Sequence, residues 1–214
     1  MSHPRPSDDL ASAFILCLVA GMVDAVGFVR HGAFAANMTG NTVLTAIALA
    51  ERDVARAIDC GLMLACFFLG AIVGRLLLTL GRRRAAWPLA LEAALLVACV
   101  LMPPDRWLAL GTVALAMGVQ AAALSRFAGV SVSTVVVTST MVRLAEANLD
   151  VLLRLFGRAA TADRTPWLLL SGVWLAYAVG AIAAVLLTPA SSTPVLVAAG
   201  LVVVVVMLRR GAIP

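Results

Sequence analysis

An acidic side chain, Asp24, lies inside the apolar run of residues 11–29, thirteen residues before a short polar segment, residues 37–41. An ionisable group near the centre of a bilayer costs about 2.5–3.5 kcal/mol on insertion scales, so it usually faces protein, water or a permeating species. The polar segment, which reads Asn-Met-Thr-Gly-Asn, interrupts a second apolar run. Together the acid and the polar segment predict a polar binding site inside a membrane protein.

The polar segment combines amides, a hydroxyl and a glycine. Asn37 and Asn41 are four residues apart, so helical geometry places both amides on one face, and Thr39 and Gly40 between them permit a break in the helix. Amides and hydroxyls offer both donors and acceptors, which suits them to replace part of the hydration shell of a solute or ion. The alternative is structural: the same groups could cap a broken helix and hold neighbouring spans together.

Asp24 itself has three candidate roles. It could carry protons, coordinate a cation, or form a structural ion pair with Arg30 or Arg126. Glu92 lies six residues into another apolar run and could be a second intramembrane acid or an interfacial one that snorkels to the surface.

The second half of the chain supplies further polar side chains in corresponding positions. Gln120 lies in an apolar run at the place that Asp24 occupies in the first half, and Thr138 and Thr140 lie in a short segment comparable to residues 37–41. The predicted solute or ion site therefore consists of Asp24, Asn37, Thr39, Gly40, Asn41, Gln120, Thr138 and Thr140.

The composition places these residues in an integral membrane protein. Hydrophobic residues make up 63% of the chain and charged residues 13%, against about 25% charged in a soluble domain. The mean hydropathy is +1.04. Six stretches are long and apolar enough, or nearly so, to cross the hydrocarbon layer as helices: residues 11–29, 58–80, 86–102, 107–125, 166–188 and 194–209.

Two more apolar segments, residues 34–50 and 130–146, are short and rich in Asn, Ser and Thr. We predict an all-α bundle with six spans, in which these two segments re-enter the membrane without crossing it; the alternative is eight crossings. Every basic residue is an arginine, and with six spans and cytoplasmic termini eleven arginines fall inside and four outside. The positive-inside rule therefore predicts cytoplasmic N- and C-termini.

A faint internal repeat divides the single membrane domain, residues 1–214, into halves of about residues 11–102 and 107–209. Residues 20–24 align with residues 116–120, and the segment Gly-Ala-Ile at residues 70–72 recurs at residues 180–182. With six crossings the halves are separated by three spans, so they have opposite orientations in the membrane. Inverted repeats bring irregular backbone from both halves near the bilayer midplane.

The motifs also carry a family resemblance. Residues 21–25, Gly-Met-Val-Asp-Ala, and residues 34–41, Phe-Ala-Ala-Asn-Met-Thr-Gly-Asn, closely resemble the signature of the YoaK-like bacterial membrane proteins, domain of unknown function 1275. Residues 118–122 and 138–141 are similar to the second half of that family, except that Val142 replaces its usual glycine. The resemblance implies a bacterial inner-membrane protein with six spans, and no established substrate or activity.

Two functions from different classes follow. The first is a small transporter or channel for a solute or ion, coupled to protons through Asp24; it requires peptide groups left unpaired at lipid depth in residues 34–50 and 130–146, lining a wet conduit. The second is a structural or regulatory membrane protein that binds a partner, with a dry interior.

We expect no enzyme, because hydrolase, metalloprotease and nucleotide-loop motifs are lacking. We also expect no metal, no cofactor and no nucleic-acid partner. The expected partners are the lipid bilayer and an unidentified small solute or ion. Gly70 and Gly74 form a G-x-x-x-G that could serve contacts within the chain or a homo-oligomer, and contacts within the chain are the simpler interpretation.

Overall fold

The computed structural model describes residues 6–81, 86–103, 105–124, 136–157, 167–188 and 193–210. In these ranges the chain is helical and forms no strand, which confirms the all-α prediction. The helices are α1 (Pro6–His31), α2 (Met38–Ala50), α3 (Val54–Leu80), α4 (Ala86–Leu101), α5 (Arg106–Leu124), α6 (Val136–Leu155), α7 (Trp167–Leu187) and α8 (Thr193–Arg210).

Four segments of the described chain are long and apolar enough to cross a membrane: Leu10–His31, Val54–Leu80, Arg106–Leu124 and Leu169–Leu187. They correspond to α1, α3, α5 and α7. The other two predicted spans, α4 and α8, are apolar but shorter, and α4 has 16 residues. At about 1.5 Å per residue α4 is about 24 Å long, somewhat less than the thickness of the hydrocarbon layer.

The structure describes the first of the two segments predicted to re-enter the membrane completely and the second only in part. In the first, residues 32–37 are not helical and α2 follows them. In the second, residues 130–135 lie outside the described ranges, and α6 begins at Val136. The helix α6 ends at Leu155, and Gly157 follows it with a φ of +69°, a conformation that glycine adopts easily.

The helices pack in two closely approaching pairs, the first of which is α1 with α7. A Cβ atom added to Gly21 would overlap the carbonyl oxygen of Tyr177, and one added to Gly180 would overlap the carbonyl oxygen of Leu18. Both glycines therefore let the two backbones touch. Small residues favour helix association in membranes in this way. Apolar side chains gain little free energy when they leave lipid for another helix, so close packing of the backbones contributes more.

The second pair, α3 with α5, is built alike. A Cβ on Gly70 would overlap the carbonyl oxygen of Leu115, and one on Gly118 would overlap that of Phe67. Gly74 also faces α5, so the G-x-x-x-G of α3 serves contacts within this chain. The shorter helices α4 and α8 pack against each other, α4 also against α5 and α8 also against α1.

Exposure of apolar side chains agrees with a lipid environment. The outer faces of α3 and α7 expose large apolar residues such as Phe68, Ile72, Leu175 and Ile182, each at least 50% accessible. Such continuous apolar surfaces are atypical of a soluble monomer. The helix α1 is largely enclosed by its neighbours, so the polar groups that it carries face protein.

Candidate functional site

Asp24 lies at the junction of α1, α7 and the loop of residues 32–37, with 2% of its surface exposed. Its Oδ1 accepts hydrogen bonds from the backbone amides of Ala36 (2.6 Å) and Asn37 (3.1 Å). Its Oδ2 accepts one from the hydroxyl of Tyr177 on α7 (2.6 Å). A buried carboxylate needs such donors to offset the loss of water, and these three donors come from two separate parts of the chain.

Tyr177 is a participant that the sequence prediction missed. It is the chain's one tyrosine, and it lies in an otherwise apolar helix 153 residues after Asp24. A buried tyrosine hydroxyl usually has a hydrogen-bond partner. A tyrosine inside an apolar run was therefore the sequence feature that could have identified this residue. The ion pair with Arg30 or Arg126, one of the three candidate roles of Asp24, stays a hypothesis: the hydrogen bonds of Asp24 go to the backbone and to Tyr177, and Arg126 lies outside the described residues.

Asn41 is fully buried and holds the same loop from the other side. Its Oδ1 accepts from the amide of Phe34 (2.8 Å), and its Nδ2 donates to the carbonyl of Phe34 (2.6 Å). The side-chain amide of Asn41 thus pairs with both backbone groups of Phe34, as a residue of a neighbouring β-strand would. The ring of Phe34 stacks on Phe28 of α1, with centroids 4.7 Å apart, and this contact fixes the loop against the end of that helix.

Asn37 is the N-cap of α2. Its Oδ1 accepts from the amide of Gly40 (3.1 Å) and from the hydroxyl of Thr39 (2.8 Å), so it satisfies donors that the first turn of a helix leaves open. The break that Thr39 and Gly40 could permit does not occur between Asn37 and Asn41: Thr39 and Gly40 belong to the first turn of α2, and the non-helical residues precede Met38. A side chain at position 40 would collide with the ring of Phe34.

The expectation of unpaired peptide groups in residues 34–50 is also wrong for the loop. The amides of Phe34, Ala36 and Asn37 and the carbonyl of Phe34 all have side-chain partners, supplied by Asp24 and Asn41. Polar side chains placed before and after the loop pair its backbone, as burial requires.

The site residues predicted in the second half do not join this cluster in the described chain. Gln120 donates from Nε2 to the carbonyl of Leu16 (3.1 Å), and Leu16 lies eight residues before Asp24 on α1. At about 1.5 Å per residue, that places the contact about 12 Å along α1 from Asp24. Thr138 and Thr140 belong to the first turns of α6, and their side chains lie outside the described part of the structure.

A second polar cluster lies where α1 and α4 end and α5 begins. Arg106 forms an ion pair with Asp59, whose side chain is 3% exposed whereas that of Arg106 is 52% exposed. Arg106 also donates to the carbonyl of His31 (3.4 Å). Asp105 caps α5 by accepting from the amide of Leu108 (2.8 Å). These contacts tie the ends of α1, α3 and α5 together.

Beside this cluster is a cavity of about 330 Å³. Its charged or titratable lining residues are Arg30, His31, Cys99, Asp105 and Arg106, and the rest of the wall is mostly apolar. The sequence prediction missed this site, because arginines at the ends of apolar runs look like topology signals. Asp24 does not line the cavity, although its neighbour Val23 does.

No metal centre accompanies either cluster: the described ranges contain no group of three or more His, Cys, Asp and Glu side chains arranged to hold an ion. All four cysteines are free thiols. The chemistry that the described residues of these two clusters offer is hydrogen bonding and charge.

Comparison with known proteins agrees with the membrane character of the fold. The family described as "Protein of unknown function (DUF1275)" matches residues 12–208. The UPF0700 transmembrane protein YoaK of Bacillus subtilis (strain 168) is 32% identical over 156 residues, 66% of this chain and 67% of the relative. The UPF0700 transmembrane protein RA0705 of Rhizobium meliloti (strain 1021) is 28% identical over 179 residues, 83% of this chain and 75% of that protein.

No solved structure matches the chain. The match of the family over nearly the whole length, together with transmembrane relatives, confirms the resemblance inferred from residues 21–25 and 34–41. The chain belongs to the DUF1275 family of membrane proteins of unknown function.

Proposed function

We propose that this protein is a small transporter rather than an enzyme, and that its solute enters through the cavity at the ends of α1, α4 and α5. The observation that carries the proposal is the cavity itself, a space of about 330 Å³ with Arg30, His31 and Arg106 against an otherwise apolar wall. A volume of this size lies within the range of ligand pockets, which are mostly apolar with a few polar groups that orient the ligand.

The charges around the cavity favour a small anion with an apolar body. Two guanidinium groups, Arg30 and Arg106, and one carboxylate, Asp105, line the cavity, and that carboxylate already caps α5. Arg106 is also held by Asp59, so an anion would share it with a fixed partner. Guanidinium groups suit carboxylate and phosphate ligands, because their planar donors can bind two oxygens at once.

An inverted repeat is the architecture that we propose for this transporter. Its support is the similarity of the two close helix pairs. Between α1 and α7, Gly21 contacts Tyr177 and Gly180 contacts Leu18. At the corresponding positions of α5 and α3, Gly118 contacts Phe67 and Gly70 contacts Leu115. These contacts align Gly21 with Gly118, one residue away from the sequence match of residues 20–24 with 116–120. Two similar halves of opposite orientation are a common basis for alternating access.

We also propose six crossings, with α4 and α8 as the two short spans, in the bacterial inner membrane with both termini in the cytoplasm. The distribution of arginines, eleven inside and four outside, supports this orientation. In it, the cavity faces away from the cytoplasm, because the C-terminal ends of α1 and α4 and the N-terminal end of α5 all lie on that side.

The site predicted around Asp24, Asn37 and Asn41 stays a prediction. In this conformation their side chains bind the chain's own backbone and Tyr177, so a solute could contact them only after those hydrogen bonds open. This same observation favours a second candidate function, a membrane protein that binds a partner and transports nothing, because that function expects asparagines bonded only to protein.

The experiment that separates the two uses Cys99, a free thiol in the cavity wall. A variant in which Cys99 is the single remaining cysteine is reconstituted in liposomes, and uptake of labelled organic anions, cations and neutral solutes is measured with and without a charged thiol reagent. We expect uptake of an anion that the reagent blocks. The matched control, Cys99→Ser in the same background, should transport and resist the reagent. Absence of uptake for every solute would refute transport and favour the second function.

A further inference from the structure

Glu92 lies near the middle of α4 and has no hydrogen-bond partner among the residues that the structure describes. It belongs to α4, its exposed fraction is 0%, and neither carboxyl oxygen has a partner among the described residues. Buried polar atoms in proteins nearly always have one, so an acid with two orphaned oxygens needs an explanation. This differs from Asp24, whose two oxygens accept three hydrogen bonds.

Helix geometry relates Glu92 to the cavity. Cys99, which lines the cavity, is seven residues after Glu92, so the two share a face of α4 about 10 Å apart, or two turns. Leu96 lies between them on that face and is fully buried. Glu92 therefore lies about two turns of α4 from the cavity residue Cys99, with Leu96 one turn away on the same face.

Gln120 occupies the same depth on the neighbouring helix. It is seven residues after Val113, a cavity residue of α5, and its Oε1 is likewise buried and has no partner in the described ranges. Its Nε2 donates to the carbonyl of Leu16, which is seven residues before the cavity residue Val23 on α1. Glu92 on α4, Gln120 on α5 and the carbonyl of Leu16 on α1 thus lie at one level, about 10 Å below the cavity. We call Glu92 and Gln120 the second polar layer.

Charges on the surrounding helices do not neutralise Glu92. The charged or thiol side chains on the helices that pack against α4 are Arg106 on α5, Arg209 and Arg210 on α8, and Arg56, Asp59, Cys60, Cys66 and Arg75 on α3. None of those whose side chains are described donates a hydrogen bond to Glu92. An ionised carboxylate in such a place would be enclosed and uncompensated, whereas a protonated carboxyl carries no charge and brings its own donor.

We propose that Glu92 is a proton-binding site: its carboxyl is protonated in this conformation, and it exchanges that proton with water when the barrier at Leu96 opens toward the cavity. Proton uptake forms one O–H bond on the Glu92 carboxylate, and release returns the proton to water. The use of this proton as a coupling ion rests on the proposed function, whereas the binding itself does not.

Infrared spectroscopy of the purified full-length protein tests the proposal without a known solute. We expect a carbonyl band of a protonated carboxyl at neutral pH that is lost in Glu92→Gln and retained in the control Asp24→Asn. In D₂O this band should shift to lower frequency faster than the amides of the buried helices exchange. Should Glu92→Gln fail to fold, Glu92→Asp replaces it, with a displaced band as the expected result.

Three results would overturn the proposal. If the parent and Glu92→Gln have the same carboxyl bands, Glu92 is ionised. If the band shifts in D₂O only as slowly as the buried amides, the acid is sealed and neutral and exchanges nothing. If sodium ions at constant pH remove the band, the site takes a metal cation instead. A band that exchanges in a protein without solute uptake would leave the proton site standing and refute the transporter.

Discussion

Replacing Asp24 tests whether this acid is an anchor for the loop of residues 32–37 or a contact for cargo. The substitution Asp24→Ala leaves three donors without an acceptor: the amides of Ala36 and Asn37 and the hydroxyl of Tyr177. Each buried donor left unsatisfied costs about 1–3 kcal/mol. Neighbouring bonds are not additive, and Tyr177 can move, so we expect a total loss of about 3–6 kcal/mol in the free energy of unfolding.

Two milder substitutions divide this effect. Asp24→Asn keeps an oxygen for the two backbone amides but replaces the oxygen that accepts from Tyr177 with an amide nitrogen, and we expect a loss of about 1–2 kcal/mol. Tyr177→Phe removes one donor to the carboxylate at nearly constant volume, for a loss of about 1–3 kcal/mol. In the double variant the losses should fall short of the sum, because both changes remove the same hydrogen bond.

The assay is unfolding by a denaturing detergent in mixed micelles, followed by tryptophan fluorescence. The chain has four tryptophans, so no label is needed. Glu51→Gln is the matched control: Glu51 is an exposed acid at the end of α2, and its replacement should change the free energy of unfolding by less than about 0.5 kcal/mol. If Asp24→Ala is as stable as this control, the hydrogen bonds described for Asp24 do not hold the loop and the anchor interpretation is refuted.

Three further substitutions test the other parts of the structure. Arg106→Ala should lower the free energy of unfolding by about 3 kcal/mol, because it leaves the buried Asp59 unpaired. Asp59→Ala should lower it by about 1 kcal/mol or less, since the half-exposed Arg106 can turn to water. Equal losses in the two variants would contradict this difference in burial between the partners. Gly180→Ala should abolish a monodisperse folded protein in size-exclusion chromatography, and Gly61→Ala, where nothing lies within 4 Å of the added atom, should not. Glu92→Leu should raise the free energy of unfolding by about 1–3 kcal/mol, and a loss instead would mean that Glu92 has a partner.

Most of the helices were predictable from hydrophobic runs and their boundary residues. The apolar runs define α1, α3, α5 and α7, and the polar segment at residues 37–41 marks the start of α2. The grouping of Asp24 with Asn37 and Asn41 was also predictable, because all three lie within eighteen residues of one another. The spacing of these residues in the sequence could not predict the role of each side chain, because that role depends on the groups that it contacts in the fold.

Partners distant in the sequence explain the rest. An acid in an apolar run signals the need for a donor, but several donors satisfy that need equally well, and Tyr177 is 153 residues away. The cavity was missed for a related reason: Arg30 and Arg106 come together only when the ends of α1 and α5 meet, and separately each is an ordinary boundary arginine.

The two intramembrane acids show why position within an apolar run does not predict role. Asp24 and Glu92 are equally enclosed, with 2% and 0% of their surfaces exposed. Asp24 lies opposite an irregular loop, whose free amides need an acceptor, so one of its carboxyl oxygens accepts hydrogen bonds from that backbone. Glu92 lies among regular helices, whose amides are already bonded within the helix, so no donor is left for it. A carboxyl in that position makes no hydrogen bond with the described residues, and this is the observation on which the proposed proton-binding site rests.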